Sequence, residues 1–161
     1  MKKSPSELMK ELKFIKAEVR EIQNQDMHES TERVTSYDSK PEHLKYDYED
    51  NRKKISKLYE RERKIHDLLS AFNLSTKLPD YDLTVSEALV RLGQLKDEIN
   101  TLTYMASRRQ SSLTEDYGEN RFEACGYDVA KTKLDLKALQ RERSDLQIAI
   151  DKINLTSSID C

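Results

Sequence analysis

The chain has 161 residues, 36% of them charged and 36% hydrophobic, with only three Gly, three Pro and no Trp; this is poor in turn formers for a β-sandwich and suits long solvated helices. Twenty-eight basic residues against thirty acidic ones give a formal net charge of −2, which provides no global field for gathering nucleic acid or anionic lipid. No apolar run approaches the roughly 20 residues that a membrane-spanning helix needs.

The first segment, MKKSPSELMKELK, carries lysines but no apolar core, so it does not read as a signal peptide. A cytoplasmic location is therefore expected, with Cys125 and Cys161 as reduced thiols. Ser4-x-x-Glu7 is a capping box, and Pro5 suits the first helical position. The first helix then shows Leu8, Leu12, Ile15, Val19 and Ile22, a 4-3-4-3 stripe. A long loop follows over about residues 25–45. Within it Glu32 to Asp38 alternates weakly, which fits either a short strand or irregular loop. Asp47 is the N-cap candidate of the second helix. That helix presents Ile55, Leu58, Glu62, Ile65, Leu69 and Phe72, and Asn73 is expected to stop it in a left-handed cap with Leu74 folded back.

Thr84-x-x-Glu87 opens the third helix, whose stripe is Ala88, Leu92, Leu95, Ile99 and Leu102. Gly93 interrupts it. The second long loop covers about residues 107–126. Its end, Arg121 to Gly126, is a second candidate strand, which could pair with the first across a pseudo-dyad. Asp128 caps the fourth helix, which presents Leu136, Leu139, Arg143, Leu146, Ile150 and Ile153 and is expected to stop at Asn154.

The chain repeats itself. Tyr46-Asp47 and Asn73-Leu74 recur as Tyr127-Asp128 and Asn154-Leu155 at one constant offset, and the Ser4 box recurs as the Thr84 box at an offset one position shorter. The expectation is one domain with internal repeats over 4–78 and 84–159. The fold class is mainly all-α: an antiparallel four-helix bundle built from two tandem helical hairpins, with a short two-stranded β element in the loops. The polar seam position is the same in both repeats but opposite in charge. Glu62 and Arg143 are therefore expected to meet as an ion pair near a pseudo-dyad, the alternative being that both snorkel to water.

No motif carries chemistry. Three His without a Glu-x-x-His pair do not furnish a bundle metal site, and neither a Gly-rich phosphate loop nor zinc spacing is present. The basic clusters Arg52-Lys-Lys54 and Arg108-Arg109 alternate with acids and read as solvated faces. His43, Arg108, Arg109, Tyr117 and Arg121 could converge at the loop end as a binding site.

The segments Phe72-Asn-Leu-Ser-Thr76, Leu83-Thr-Val-Ser-Glu-Ala-Leu89, Tyr127-Asp-Val129 and Ile150 to Thr156 resemble the bacterial DIP1984/septicolysin-like family over most of the chain. The chain departs from it in a longer, more polar first loop. The resemblance implies a small bacterial helical protein that is poorly characterised and oligomeric, and it brings no catalytic residues. The leading expectation is a non-enzymatic interaction or scaffold protein that self-associates or binds another protein, with no cofactor. A ligand-binding protein or enzyme using the loop end, and a nucleic-acid-binding helical hairpin, are the alternatives.

Overall fold

The structure, a computed structural model, describes residues 2–31, 46–116 and 119–161. Its described elements are β1 (Lys2–Lys3), α1 (Pro5–His28), α2 (Tyr48–Ser75), α3 (Val85–Ala106), β2 (Ser111–Asp116), β3 (Glu119–Ala124), α4 (Val129–Thr156) and β4 (Ile159–Asp160). Among the described residues four helices dominate, with two small two-stranded antiparallel sheets, β1–β4 and β2–β3. The chain divides into two compact units: Met1–Phe72 with Asn154–Cys161, and Asn73–Ile153. Both cuts fall immediately before an Asn-Leu pair, at equivalent positions of the two repeats.

The local rules act at the helix starts as the sequence dictates. Ser4 Oγ accepts the Glu7 N–H at 3.2 Å, and the Ser4 N–H donates to the Glu7 carboxylate at 2.7 Å. Thr84 and Glu87 repeat both bonds at 3.2 and 2.7 Å. Asp47 accepts the Asp50 N–H at 3.0 Å, and Asp128 accepts those of Ala130 and Lys131 at 2.8 and 3.0 Å. Each of these bonds satisfies a backbone donor that a helix N-terminus would otherwise leave without a partner.

In the first unit the α1 stripe, Leu8, Leu12, Ile15 and Val19, packs with Ile65 of α2; Leu58, Leu68, Leu69 and Ile159 of β4 lie against this core. Each such side chain contributes about 1.5–3 kcal/mol through the apolar surface it removes from water. The strand ends close each unit in the same way. Lys3 pairs with Ile159 in the first unit. In the second, the Leu78 N–H donates to the Leu83 carbonyl and the Val85 N–H to the Thr76 carbonyl, both at 2.9 Å. There Leu78, Val85, Ala88, Leu95, Leu146 and Ile150 are buried.

Each helix pair is tied by charge, and the sign is inverted between the two. In the first unit, the Glu11 carboxylate accepts from Arg61 Nε at 2.7 Å and Nη2 at 3.3 Å, and from Lys3 Nζ at 2.7 Å. In the second, Arg91 donates from Nε and Nη2 to Glu142 at 2.9 and 3.2 Å, and from Nη1 to Glu98 at 3.1 Å. Arg91 is the repeat counterpart of Glu11, by the offset that relates the capping boxes. Glu142 is the counterpart of Arg61, by the offset that relates the Tyr-Asp pairs. An anion between two cations in one unit is thus a cation between two anions in the other. Exchanging helix partners between the repeats would set Glu11 against Glu142 and Arg61 against Arg91. The inversion therefore discriminates correct pairing from crossed pairing. Glu62 and Arg143, one position further along, fall in different units. The Glu62 carboxylate lies 3.7 Å from Lys16 and 3.8 Å from His66.

The expected helix stops are corrected by the structure. Asn73 and Asn154 lie inside their helices, which run on to Ser75 and Thr156. Leu74 and Leu155 do not fold back; they are 67% and 68% exposed. Asn is only mildly unfavourable in a helix, so nothing obliges it to adopt the left-handed conformation there. Gly93 sits exposed in α3, and a Cβ added there would meet nothing within 4 Å.

Two outcomes are expected. Gly93→Ala should raise unfolding stability by about 0.5–1 kcal/mol, read as a rise of a few degrees in the melting temperature. The Glu11 carboxyl is pulled from 4.5 to about 2, first by its hydrogen bonds from Arg61 and then by those from Lys3. Its folded pKa is depressed, so its stabilisation is complete above about pH 4.5 and is lost as the pH falls to about 2 and below. Glu11→Gln should cost about 1–2 kcal/mol at pH 7, allowing for solvent screening of this partly exposed pair, and almost nothing near pH 2, measured by denaturant unfolding.

Candidate functional site: the hairpin end of the second unit

The second long loop folds on itself. Leu113 of β2 stands opposite Phe122 of β3, with Ser111 opposite Ala124 and Ser112 opposite Glu123. The candidate strand at Arg121 to Gly126 thus pairs locally with β2. The other candidate strand, Glu32 to Asp38, lies outside the described residues, so pairing across a pseudo-dyad is not described. Local pairing closes a short loop, which costs less chain entropy than joining distant segments.

Gln110 anchors the hairpin. Its Nε2 donates to the carbonyls of Tyr127 at 2.9 Å and Cys125 at 3.4 Å, while its Oε1 accepts the Val129 N–H at 2.9 Å. One carboxamide thereby joins the base of β2 to the first turn of α4. The Tyr127 hydroxyl donates to the Met105 carbonyl at 2.9 Å, fixing the α4 start to the α3 end. In the first unit the Tyr46 hydroxyl, at the equivalent repeat position, donates to Asp26 at 2.8 Å.

Beside the anchor lies a hollow of about 280 Å³ lined by Arg108, Arg109, Ser112, Glu123, Ala124 and Cys125. Arg108 donates to Glu123 at 3.3 Å and to the Tyr104 hydroxyl, and its guanidinium lies 4.9 Å from the centre of the Tyr104 ring. The Cys125 thiol donates to the Arg109 carbonyl at 3.1 Å. Neither Cys125 nor Cys161 forms a disulfide. Of the five residues expected at the loop end, Arg108 and Arg109 line the hollow. Arg121 sits on β3 two positions before Glu123, outside the lining. His43 and Tyr117 fall outside the described residues. Sequence reasoning missed Gln110, because a glutamine in a polar loop carries no periodic or capping signal. Arg143 lines a separate hollow of about 390 Å³ in this unit, with Ile99, Gln140, Ser144, Gln147 and Ile148.

The hairpin's most unusual feature is apolar. Leu113 and Phe122 form a directly opposed cross-strand pair, yet they are 58% and 81% exposed. Among the described residues, no group of three or more His, Cys, Asp or Glu side chains could hold a metal ion. No helix of the described residues is long and apolar enough to cross a membrane.

Fold and site together define a mainly α-helical protein of two units, one of which ends in an anchored β-hairpin with an exposed apolar pair. No family model matches the sequence, and no curated protein matches it. Its structure is similar to the crystal structure of a functionally unknown conserved protein from Corynebacterium diphtheriae. The TM-score is 0.72, with 13% sequence identity over 99% of this chain and 100% of that one. At that identity the likeness is one of fold.

Replacing Gln110 with Ala should release the hairpin without unfolding the helices. Amide hydrogen exchange should speed up across β2, β3 and Val129, by about tenfold for the net loss of roughly one hydrogen bond's worth of stability, while α1 and α2 stay unchanged.

Proposed function

We propose that this protein is a non-enzymatic interaction protein that self-associates or binds another protein through the β2–β3 hairpin. The observation that carries the reading is the exposed Leu113–Phe122 pair. Large apolar side chains that oppose each other and remain open to water favour coverage by a partner, and aromatic anchors dominate such contacts. The anchoring by Gln110 supports the reading as well, since it holds the apolar pair on a rigid base and lowers the ordering cost of binding. An isolated two-stranded hairpin is marginal in water, so addition of a strand would stabilise it.

The hollow beside the hairpin favours an enzyme less. Its thiol is turned to a backbone carbonyl, and the Arg108 guanidinium is already engaged by Glu123 and Tyr104. Placement in the DIP1984/septicolysin-like family is part of the same proposal. It is supported by the quoted motifs and by a bacterial structural neighbour whose function is also unknown.

The test is a photo-crosslinking amino acid at position 122 in the cells that natively produce the chain, with position 133 on the exposed side of α4 as control. Discrete protein adducts from position 122, and none from 133, are expected. Equal or absent labelling at both positions would rule out the hairpin as the contact.

A further inference from the structure

Resting on the reading of the hairpin as an interaction element, we propose that its occupant is a second copy of this chain, paired antiparallel along the β3 edge about Phe122.

The geometry starts from the ladder. The Cys125 N–H donates to the Gln110 carbonyl at 3.0 Å, which makes 110 and 125 a hydrogen-bonded pair. In an antiparallel ladder such pairs alternate with non-bonded ones. Glu123 and Arg121 therefore spend their backbone groups on β2, whereas Phe122 and Ala124 direct theirs to the outer edge of β3. No described strand pairs with that edge. An open edge whose side chains include a bare aromatic is a template for another strand.

The sequence of β3 selects its own copy. Antiparallel pairing centred on Phe122 makes the two Phe122 residues a hydrogen-bonded pair, with their outward N–H and C=O groups exchanged. The same register sets Arg121 opposite Glu123 of the second copy, twice. These fall in the non-bonded pairs, where side chains approach most closely. The Arg-Phe-Glu order is thus self-complementary in charge about an aromatic centre. In β2 the residues flanking Leu113 are Ser112 and Thr114, which supply no such match. The paired sheet would have four strands, ordered β2–β3–β3–β2. One row across it would read Leu113, Phe122, Phe122, Leu113, burying the four side chains against one another. Glu123 already meets Arg108 at 3.3 Å, so the second copy's Arg121 would complete a cluster of two cations on one carboxylate. An edge contact of this length lies at the small end of specific interfaces, which points to a dissociation constant on the order of 1–100 µM.

Sedimentation velocity of the full chain from low to high micromolar concentration tests this, with helicity by circular dichroism as the check on folding. The native chain should pass from monomer to dimer. Arg121→Glu faces Glu with Glu at both symmetric contacts and should weaken the dimer roughly tenfold. Adding Glu123→Arg restores opposite charges at both contacts while setting a cation beside Arg108, so the double variant should dimerise more tightly than Arg121→Glu and recover part of the roughly tenfold loss. A chain that stays monomeric throughout would overturn the second copy as occupant. Adducts of another protein at position 122 would still leave the interaction reading standing. A dimer that Arg121→Glu does not weaken, or that the double variant does not recover, would overturn the β3 edge.

Discussion

Each of the four described helices buries one apolar stripe among mostly polar and charged residues, so none of them is stable without a neighbour to cover that stripe. The stripe alone does not say which neighbour. α1 with its Leu8-to-Ile22 row and α3 with its Ala88-to-Leu102 row are close to interchangeable in apolar shape, as are α2 and α4. What separates them is the inverted ion-pair cluster at the edge of each pairing: Glu11 held by Arg61 and Lys3, and Arg91 held by Glu142 and Glu98. Beyond the about 1–2 kcal/mol expected of the Glu11 cluster, each such pair sets a register and penalises the wrong partner by repulsion. A chain built of two similar halves needs such a device more than one built of unlike halves.

Once the helices are paired, the ends of the pairs are fixed and the loops inherit their positions. The Tyr127 hydroxyl on the Met105 carbonyl joins the end of α3 to the start of α4, and Gln110 then clamps the hairpin between them. The hairpin is held at its base and bare at its edge. Helix pairing, hairpin anchoring and the exposed Phe122 edge therefore form one sequence of dependence, from core to candidate interface.

Features governed by neighbouring residues are legible in the sequence. The two capping boxes and the two Asp caps need only a side chain close along the chain to the backbone group it satisfies. The α1 stripe is buried at every position named for it, because period and burial are the same fact on a single helix. Misreadings come where two local outcomes compete. Asn73 and Asn154 suit both a left-handed cap and a helix interior, and the interior wins in both repeats. The strand at Arg121 to Gly126 is visible by its alternation, but its partner is not, because pairing depends on where β2 lies. The apolar seam points to a charge inversion at Glu62 and Arg143. That pair would join the two units; within each unit the charge inversion that the structure does show lies one position earlier, at Arg61 with Glu11 and at Glu142 with Arg91. Gln110 has no sequence signal, since its role exists only once three separate segments meet.

The outward edge of β3 is where this dependence ends, and amide hydrogen exchange resolved by residue reads that edge directly. As protein concentration rises through the micromolar range, the outward N–H groups of Phe122 and Ala124 should gain protection, while those of Arg121 and Glu123, already bonded to β2, should not change. Protection that is independent of concentration at all four positions, or that rises at Arg121 and Glu123 instead, would contradict pairing along this edge.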